Sequence, residues 1–578
     1  MKFQVNANSS NTYAYLDYFE ITYQKNLTAA NDSLIFYSKD TTSVINYDLS
    51  GFSNSNIQVY DISDYANIKS VSSMTSPSGG EFKFQASENA GKVSKYIAVG
   101  NDKYKTPINP EEISNQNLHG ISDGAQYIII TDKTFNEQAN RLKNYRENES
   151  KEKLSSIVVD VDQIYNEFSG GALDVTGIRN FIKYAYDNWT TKPEYVLLFG
   201  DGNYDYKNIE GSNNNFVPPY ETVPTGSLKY NEIWSYPMDD YYAMVDGDDN
   251  KIDLAIGRIN IQSLEDAQIA VDKIISYENN TDKDLWRNLI TIVADDGPAG
   301  LGENDGPLHT GQGEYLANNV IPGSFNINKI YLAAYPTVIT GVGRTKPAVN
   351  EAIIAAMNNG SLIVHYVGHG NEHVWAHESV FENSSSIPRL HNNDLFFLTV
   401  ASCAFGYYDK TTAQCGVELL LLKANSGAIG VFSATRPVFS LDNAALSYTF
   451  YNYLLGSKDS ANMPITVGDA YLLTKAVRSE TNDQKFTLFG DPALRLLIPH
   501  YTASIDSING HSFNISKNVS GITVPAASVQ IKALSQTRIE GVIEKPDNTV
   551  WSDFNGEGII SVYDSERKVL LPQLAGPG

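Results

Sequence analysis

Short apolar runs alternate with amphipathic stretches through the middle of the chain, from about residue 120 to residue 500. Continuous apolar runs predict strands buried on both faces, and apolar positions every three or four residues predict helices. The expected strands are residues 127–131, 157–161, 195–201, 289–293, 329–332, 361–367, 395–400 and 428–433, and the segment 486–492 closes the region. The expected helices are residues 135–146, 178–189, 264–277, 313–319, 346–358, 416–424 and 466–478. This order predicts an α/β fold with parallel sheets covered by helices on both faces.

The two flanks of the chain follow a different pattern. Residues 1–110 and the residues after Pro499 contain short alternating runs between clusters of Asn, Ser and Gly, as is typical of β-structure. A chain of 578 residues is too long for one hydrophobic core, so three or four domains are expected. We predict a β-rich domain at 1–115, two parallel-sheet subdomains at 116–280 and 281–499, and a β-sandwich at 500–578.

The charge balance narrows the classes of function. There are 43 Lys and Arg against 67 Asp and Glu, a net charge of −24, and so acidic a surface repels nucleic-acid backbones. No apolar run approaches the roughly 18 residues of a membrane-spanning helix. The first residues lack the apolar core of a signal peptide, so export would depend on a signal that this sequence does not show.

Only two cysteines occur in the chain, Cys403 and Cys415. Two cysteines exclude a disulfide framework and a cysteine-rich zinc site, but they leave two options open. They could bond to each other, or one of them could be a reactive thiol.

Four of the nine histidines lie within thirteen residues, at positions 365, 369, 373 and 377. A spacing of four is what a zinc-binding helix face requires. The first of the four lies in the apolar, β-branched run 361–367, and Gly368 and Gly370 flank His369. Because two glycines in three residues disfavour a helix, the four imidazoles are not expected to share a face.

His369 and Cys403 each follow a predicted buried strand. Functional residues of open α/β sheets collect at the carboxyl ends of strands, and adjacent strands lie about 5 Å apart. An imidazole beside a thiol can accept its proton and later protonate a leaving amine. The backbone N–H groups of Gly370 and Cys403 could stabilise the oxyanion of a tetrahedral intermediate. Taken alone, the cysteine could be a small buried hydrophobe and the histidine a turn residue, but the paired layout favours a thiol–imidazole pair.

The layout resembles the caspase-like (clan CD) cysteine peptidases, and within them the gingipain family and its PorU-type sortase branch. The matching stretches cover roughly residues 190–500. They are His365-Tyr366-Val367-Gly368-His369-Gly370, Thr399-Val400-Ala401-Ser402-Cys403, Cys415-Gly416-Val417-Glu418, Ala255-Ile256-Gly257-Arg258 and Phe489-Gly490-Asp491-Pro492. The resemblance implies a caspase-like catalytic domain of two subdomains, flanked by an N-terminal all-β domain and a C-terminal Ig-like β-sandwich.

The resemblance also implies roles for individual residues. Cys403 would be the nucleophile and His369 its proton-transfer partner, while Cys415 would be structural. The acid that orients the histidine matches Asp296, with Asp295 as the alternative. The substrate pocket would include three further residues, namely Thr435, Arg436 and Trp375.

A calcium ion is the one cofactor that the resemblance suggests, in a structural role and not required for the reaction. The acidic run 246–253 offers Asp246, Asp248, Asn250 and Asp253 as ligands. It lacks the distal bidentate glutamate of a calcium loop, so a β-hairpin turn is the favoured alternative.

By resemblance, the expected function is that of a type IX secretion sortase at the outer surface of a bacterium. Such an enzyme removes C-terminal sorting domains from secreted cargo and links the cargo to an anchor through a thioester. The expected partners are those sorting domains and outer-membrane components of the secretion system. Two alternatives stay open: a secreted degradative endopeptidase, and a non-catalytic adhesin or assembly factor on a peptidase scaffold.

Overall fold

A computed structural model describes residues 19–560, except residues 22, 24, 109–112, 114–115, 223–234, 298–303, 342, 513–515, 519–520, 524–530, 533, 557 and 559. The chain divides into two compact units, Met1–Asn115 and Gln116–Gly578. Within the described ranges, no helix combines the length and the apolar character needed to cross a membrane.

The first unit contains two antiparallel sheets with the strand orders β1-β7-β3-β4 and β2-β6-β5. Its strands are β1 (Ser33–Tyr37), β2 (Ser43–Leu49), β3 (Ile57–Asp61), β4 (Lys69–Ser70), β5 (Met74–Thr75), β6 (Phe82–Glu88) and β7 (Lys95–Gly100). Buried residues of β1, β2, β3, β6 and β7 form one core in this unit. Glu88 is buried in this unit and accepts hydrogen bonds from the hydroxyls of Tyr47, Tyr96 and Ser94. Because residues 1–18 lie outside the described ranges, an all-β domain at 1–115 stays a prediction.

The second unit is built around one ten-stranded sheet with the order β13-β12-β16-β19-β20-β21-β11-β10-β8-β9. The strands of this unit up to residue 489 are β8 (Tyr127–Thr131), β9 (Ser156–Asp160), β10 (Tyr195–Phe199), β11 (Ala255–Ile259), β12 (Leu289–Ala294), β13 (Asn326–Tyr331), β14 (Val338–Thr340), β15 (Gly343–Thr345), β16 (Ile363–Val367), β17 (Val374–Trp375), β18 (Phe381–Glu382), β19 (Phe396–Ala401), β20 (Ala428–Ala434) and β21 (Phe486–Phe489). Strands β14 and β15 form one small hairpin, and β17 and β18 form another.

The ten strands form two parallel halves of opposite direction. Strands β13, β12, β16, β19 and β20 are parallel to one another, as are β21, β11, β10, β8 and β9. The halves meet at the antiparallel pair of β20 and β21. The two predicted parallel sheets are therefore fused into one continuous mixed sheet, and β21 returns from late in the chain to complete the half built from residues 127–259.

The helices of this unit are α1 (Asn136–Asn148), α2 (Val161–Phe168), α3 (Val175–Asn188), α4 (Asp240–Ala243), α5 (Leu264–Glu278), α6 (Leu308–Tyr315), α7 (Pro347–Asn358), α8 (Gly416–Leu421), α9 (Ser440–Gly456), α10 (Val467–Val477) and α11 (Thr481–Gln484). Side-chain caps begin several of them, as where Thr466 accepts from the N–H of Asp469. The sheet is buried on both sides, because alternate residues of β16 such as Ile363 and Val364 enter two different cores. Helices at 161–168 and 440–456 and a strand at 255–259 were not predicted.

Two of the quoted motifs interlock within the half of the sheet that β21 completes. Arg258 pairs with Phe489, and its carbonyl accepts from the N–H of Gly490 at 2.7 Å. A Cβ on Gly257 would lie 2.5 Å from the carbonyl oxygen of Gly490, so glycine is needed at 257. The guanidinium of Arg258 is fully buried and binds both carboxylate oxygens of Asp239, at 2.6 and 2.7 Å. These two motifs therefore have a structural role.

The last strands of the second unit are β22 (Thr502–Ile508), β23 (His511–Ser512), β24 (Ser516–Asn518), β25 (Gly521–Thr523) and β26 (Ile539–Glu544). Strand β22 pairs antiparallel with β23 and β26. The strands predicted at 527–534 and 556–563 lie largely outside the described residues. The Ig-like β-sandwich at 500–578 therefore stays a prediction.

Replacing Asp239 with alanine should lower the free energy of unfolding by about 3–5 kcal/mol, because it leaves the charge of Arg258 buried without its counter-ion. Urea unfolding followed by intrinsic fluorescence measures this loss. The control is Glu351→Gln, which removes an exposed ion pair with Arg389 and should cost less than about 1 kcal/mol. Equal losses in the two variants would contradict this account of the buried pair.

Candidate functional site

The register of two central strands determines where the predicted thiol and imidazole lie. Strands β16 and β19 pair in parallel from Ile363 opposite Phe397 to Val367 opposite Ala401. His369 and Cys403 each come two residues after the last pair of this ladder. The contact continues beyond the strands, since the N–H of Gly368 lies 3.4 Å from the carbonyl oxygen of Ala401. The fold therefore brings the two loops together at one edge of the sheet.

Two glycines allow the loops to approach this closely. A Cβ on Gly368 would lie 2.4 Å from the Cβ of Asp295, and a Cβ on Gly370 would lie 2.7 Å from the Oγ of Ser402. Both distances are shorter than side-chain atoms can tolerate. The Gly-His-Gly sequence therefore fits a loop that is packed against the loops following β12 and β19.

Cys403 is a free thiol at a half-buried position. Its Sγ lies 3.6 Å from the carbonyl oxygen of Val438. Burial raises the pKa of the Cys403 thiol, and the nearby positive charge of Lys485 opposes that rise. The following residue, Ala404, has a φ of +54°, which is rare for a residue with a Cβ and places strain directly beside the thiol.

Cys415 has a different environment. It is a free thiol with 1 % of its surface exposed, and it lies at the N-cap of α8. Its backbone N–H donates to the carboxylate of Glu418 at 2.7 Å, which closes a capping box. Burial raises the pKa of the Cys415 thiol well above its ordinary value. No disulfide joins the two cysteines, and the position of Cys415 is that of a structural residue.

The imidazole of His369 contacts an acid that the sequence did not suggest. Its Nε2 lies 2.6 Å from Oδ2 of Asp305, which comes three residues before α6. Its backbone N–H donates to Oδ2 of Asp295 at 3.0 Å, and burial raises the pKa of Asp295 to about 7. The predicted orienting acid, Asp296, is buried against the ammonium of Lys346 at 3.1 Å. Thus Asp305 contacts the imidazole, Asp295 binds the backbone of the His369 loop, and Asp296 forms an ion pair with Lys346.

The predicted oxyanion donors, Gly370 and Cys403, lie on the same two neighbouring loops. Gly370 forms an isolated bridge with Trp375, and its hydrogen bonds are carried by the neighbouring residues, from Asn371 to Val374 and from Ala376 to His369. In such a pair the N–H of the bridged residue points away from its partner. Within the part of the chain that the structure describes, neither Gly370 nor Cys403 donates its N–H to a protein acceptor.

The predicted pocket residues are more enclosed than expected. Trp375 is fully buried and stacks on Tyr366 with ring centroids 4.5 Å apart, so it belongs to the core and not to a pocket wall. Thr435 is also fully buried, and its hydroxyl donates to the carbonyl oxygen of Lys485. Aromatic and β-branched residues next to glycine loops resemble pocket linings in sequence, yet here they fill the space behind the loops.

Arg436 does reach a cavity. It lines an open cavity of about 840 Å³ together with Tyr204, Tyr220, Glu221 and Tyr407. Its guanidinium is held by the carboxylate of the buried Asp409 at 2.6 Å and lies over the ring of Tyr407. The carbonyl oxygen of Arg436 accepts from the N–H of Ala404, so this cavity adjoins the loop that carries Cys403.

The four neighbouring histidines do not form a common face. His365 is buried in β16, where burial lowers its pKa to about 3, and it hydrogen-bonds Thr399. His377 lies near His369, with ring centroids 5.2 Å apart, whereas His373 is exposed. Only His365 lies in a strand, and the other three follow in the loop beyond Val367, so no single strand or helix face carries all four imidazoles.

The acidic run at 246–253 bends between α4 and β11. Asp253 accepts the backbone N–H groups of Val245 and Asp246, at 2.8 and 2.7 Å. Among the described residues, metal-ligating side chains cluster in two other places, and Asp246, Asp248, Asn250 and Asp253 belong to neither. The carboxylate of Asp253 is thus bound by the backbone, and because α4 and not a strand precedes the run, it is not the β-hairpin turn that was the favoured alternative to calcium binding.

A model of peptidase family C25 matches residues 121–497, more than half of the 578 residues. The chain belongs to peptidase family C25. This confirms the resemblance to the gingipains. The matched range contains both strands of the central ladder and the loops of His369, Cys403 and Asp305.

Individual relatives support the same assignment. Gingipain R2 of Porphyromonas gingivalis is 25% identical over 351 residues, which are 56% of this chain and 40% of the relative. Gingipain R1 of the same species is 26% identical over 351 residues, 56% of this chain and 30% of the relative. The chain therefore spans less than half the length of these curated relatives.

A solved structure matches the fold over most of the chain. The crystal structure of dimeric latent PorU from P. gingivalis has a TM-score of 0.51, with 18% sequence identity, over 92% of this chain and 44% of that one. At this identity the likeness concerns the fold. Together with the mixed sheet, it fits the predicted caspase-like α/β core of this C25 chain.

Iodoacetamide should modify Cys403 and spare Cys415, and Lys485→Met should shift the alkylation of Cys403 to higher pH. Lys485 is positively charged and lowers the pKa of the thiol, so its removal raises that pKa further. The measurement is the pH dependence of the alkylation rate, with the modified cysteine identified by peptide mass. Lys329→Met, which removes a surface ion pair with Glu314, is the control and should leave the profile unchanged. A shift to lower pH, or modification of Cys415 first, would contradict this description of the site.

Proposed function

We propose that this C25 chain is a cysteine peptidase in which Cys403 is the nucleophile and His369 the proton-transfer residue. The observation that carries the proposal is the matched register of β16 and β19, which ends two residues before each of these side chains. Membership of a peptidase family supports the reaction class. The half-buried, free thiol of Cys403 supports the choice of nucleophile over the enclosed Cys415.

Asp305 takes the orienting role in this proposal, in place of Asp296. When Nε2–H of His369 donates to Asp305, the lone pair is on Nδ1, which is then the nitrogen able to act as base. A carboxylate in this position fixes the tautomer and stabilises the imidazolium that forms during the reaction. Asp296 already compensates the charge of Lys346 and is not needed for this role.

The reaction then follows from the two loops. Nδ1 of His369 takes the proton of the Cys403 thiol, and Sγ attacks the carbonyl carbon of a peptide bond. The N–H groups of Gly370 and Cys403 donate to the oxyanion. As the C–N bond breaks, the imidazolium gives its proton to the leaving amine and a thioester remains on Sγ. Water or an acceptor amine then attacks the thioester carbon, which releases the thiol and completes hydrolysis or transpeptidation.

For the substrate, we infer that the chain acts as a sortase on C-terminal sorting domains of secreted proteins, at the outer surface of a bacterium and beside an outer-membrane secretion system. The likeness in fold to PorU over 92% of the chain supports this choice. The curated gingipain relatives favour a second candidate, a secreted degradative endopeptidase. The presence of both His369 and Cys403 counts against a non-catalytic adhesin.

Asp305→Asn should lower peptide cleavage by roughly 10²–10⁴-fold, the range contributed by a positioned acid–base group, because asparagine does not hold the imidazole in the required tautomer. Cleavage by the full chain is measured with a labelled peptide library and compared with Cys403→Ala, which should remove activity. The matched control is Asp296→Asn, the neighbouring buried acid, which should reduce stability more than the rate per folded molecule. If Asp296→Asn loses as much activity as Asp305→Asn, the assignment of the acid is wrong.

The two candidate functions differ in what determines the cleavage site. A sortase should cut a fusion protein once, before an appended sorting domain, and in the presence of a primary amine should yield an amine-linked product. The same fusion without the sorting domain should remain intact. Mass spectrometry of the new C-terminus gives the readout, with Cys403→Ala as control. Cutting at many sites in both fusions would favour the degradative endopeptidase.

A further inference from the structure

A buried histidine that the proposed reaction does not use lies beside the catalytic imidazole. His309, on α6, is 4 % exposed, and its ring meets that of His369 edge to face, with centroids 5.3 Å apart. Oδ2 of Asp305 lies between the two, 2.6 Å from Nε2 of His369 and 3.4 Å from Nε2 of His309. Ligand atoms from all three side chains lie within 4.8 Å of one another.

The hydrogen bonds around His309 determine which of its nitrogens faces this cluster. The amide N–H of Gln312 donates to the carbonyl oxygen of Ser440, so Oε1 of Gln312 is the atom turned to His309. Nδ1 of His309 lies 3.3 Å from that oxygen and can only donate to it. In the neutral ring Nε2 then carries the lone pair, and among the described residues it has no hydrogen-bond partner although it is buried.

This arrangement places a lone pair next to a carboxylate oxygen with no proton between them. A buried acceptor without a hydrogen-bond partner costs free energy. A cation bound by both Nε2 of His309 and Oδ2 of Asp305 would remove that cost.

We propose that Asp305, His309 and His369 form a binding site for a divalent transition metal of the zinc type. Two imidazoles and one carboxylate are the donor set that Zn²⁺ accepts in three-residue sites with an open fourth position. With metal–ligand bonds of 2.0–2.2 Å, tetrahedral ligand atoms lie roughly 3.3 Å apart. The separation of 3.4 Å between Asp305 and His309 already matches, and the hydrogen bond from His369 needs to open by less than 1 Å. Gln312 acts as the outer partner that orients His309.

Metal binding would switch off the peptidase through the tautomer of His369, and this part rests on the proposed function. A metal bound to Nε2 takes the lone pair of that nitrogen, so the proton of the neutral ring moves to Nδ1. Nδ1 can then no longer accept the proton of Cys403, and Asp305 is no longer free to orient the ring. The site is thus inhibitory, and it differs from a metal held between Cys403 and His369 because it needs no thiolate.

The test measures metal binding first, in the full chain with Cys403→Ala, where neither the thiol nor peptidase activity contributes. Zn²⁺ should bind with one-to-one stoichiometry in competition with a chromophoric chelator. His309→Ala should weaken binding by at least about 100-fold, and Gln312→Leu by about 10-fold, the range known for lost outer partners. The matched control is His377→Ala, which removes another imidazole beside His369 and should leave the affinity unchanged.

A Co²⁺ spectrum identifies the ligands independently. In the chain with Cys403 intact, bound Co²⁺ should show ligand-field bands of a nitrogen and oxygen site without a thiolate-to-metal charge-transfer band. Binding should weaken as the pH falls, because both imidazoles must be unprotonated. Loss of binding in Cys403→Ala, a thiolate charge-transfer band, or unchanged binding in His309→Ala would overturn the proposal.

Inhibition is then measured on the active chain. Zn²⁺ should inhibit peptide cleavage with the constant found for binding, and His309→Ala should stay active while losing that inhibition. If Zn²⁺ binds but the untreated chain cleaves no peptide, the proposed function fails and the metal site stands. If cleavage occurs and His309→Ala is inhibited as strongly as the parent, the inhibitory role of this site is wrong.

Discussion

The parallel pairing of β16 with β19 is the constraint on which the site depends. It places Val367 opposite Ala401, and His369 and Cys403 each follow two residues later along the sequence. The two following loops touch, since a Cβ on Gly370 would collide with Ser402. A shift of one residue in this register would turn either side chain to the other face of the sheet. The geometry that we propose to be catalytic is thus a consequence of strand pairing in the buried centre of the fold.

The three carboxylates at this edge of the sheet have different roles, which follow from their burial and from the groups that they contact. Asp295 binds the backbone of His369, Asp296 is taken by Lys346, and Asp305 contacts the imidazole. Only the last is partly exposed, so only it can follow a ring that changes protonation or ligand. The buried His309 places its Nε2 close to the same carboxylate oxygen. One carboxylate can therefore serve proton transfer in one state and metal binding in another, as we propose.

Much of this was visible in the sequence, for identifiable reasons. Continuous apolar runs marked the central strands, and a histidine and a cysteine after two of them marked the site. Asp305 was missed because a tertiary contact brings it to His369, and no local sequence pattern indicates that contact. Helix 440–456 was missed because it is buried on several sides and shows little apolar stripe. Trp375 was misread because a buried aromatic beside a loop looks the same in sequence as a pocket wall. The Asp305–His309 pair did leave a sequence signal, because an acid and a histidine stand four residues apart at the start of a helix. Among the histidines, however, only the cluster at 365–377 was considered as a metal site.

The central claim is that Cys403 and His369 act as one unit at the ends of β16 and β19. The most direct measurement is a crystal structure of the chain after reaction with a peptidyl aldehyde. The account predicts a bond from Sγ of Cys403 to the former carbonyl carbon, an oxygen within hydrogen-bonding distance of the N–H groups of Gly370 and Cys403, and Nδ1 of His369 facing the adduct with Nε2 still on Asp305. An adduct on another side chain, or an oxygen directed away from both N–H groups, would contradict it.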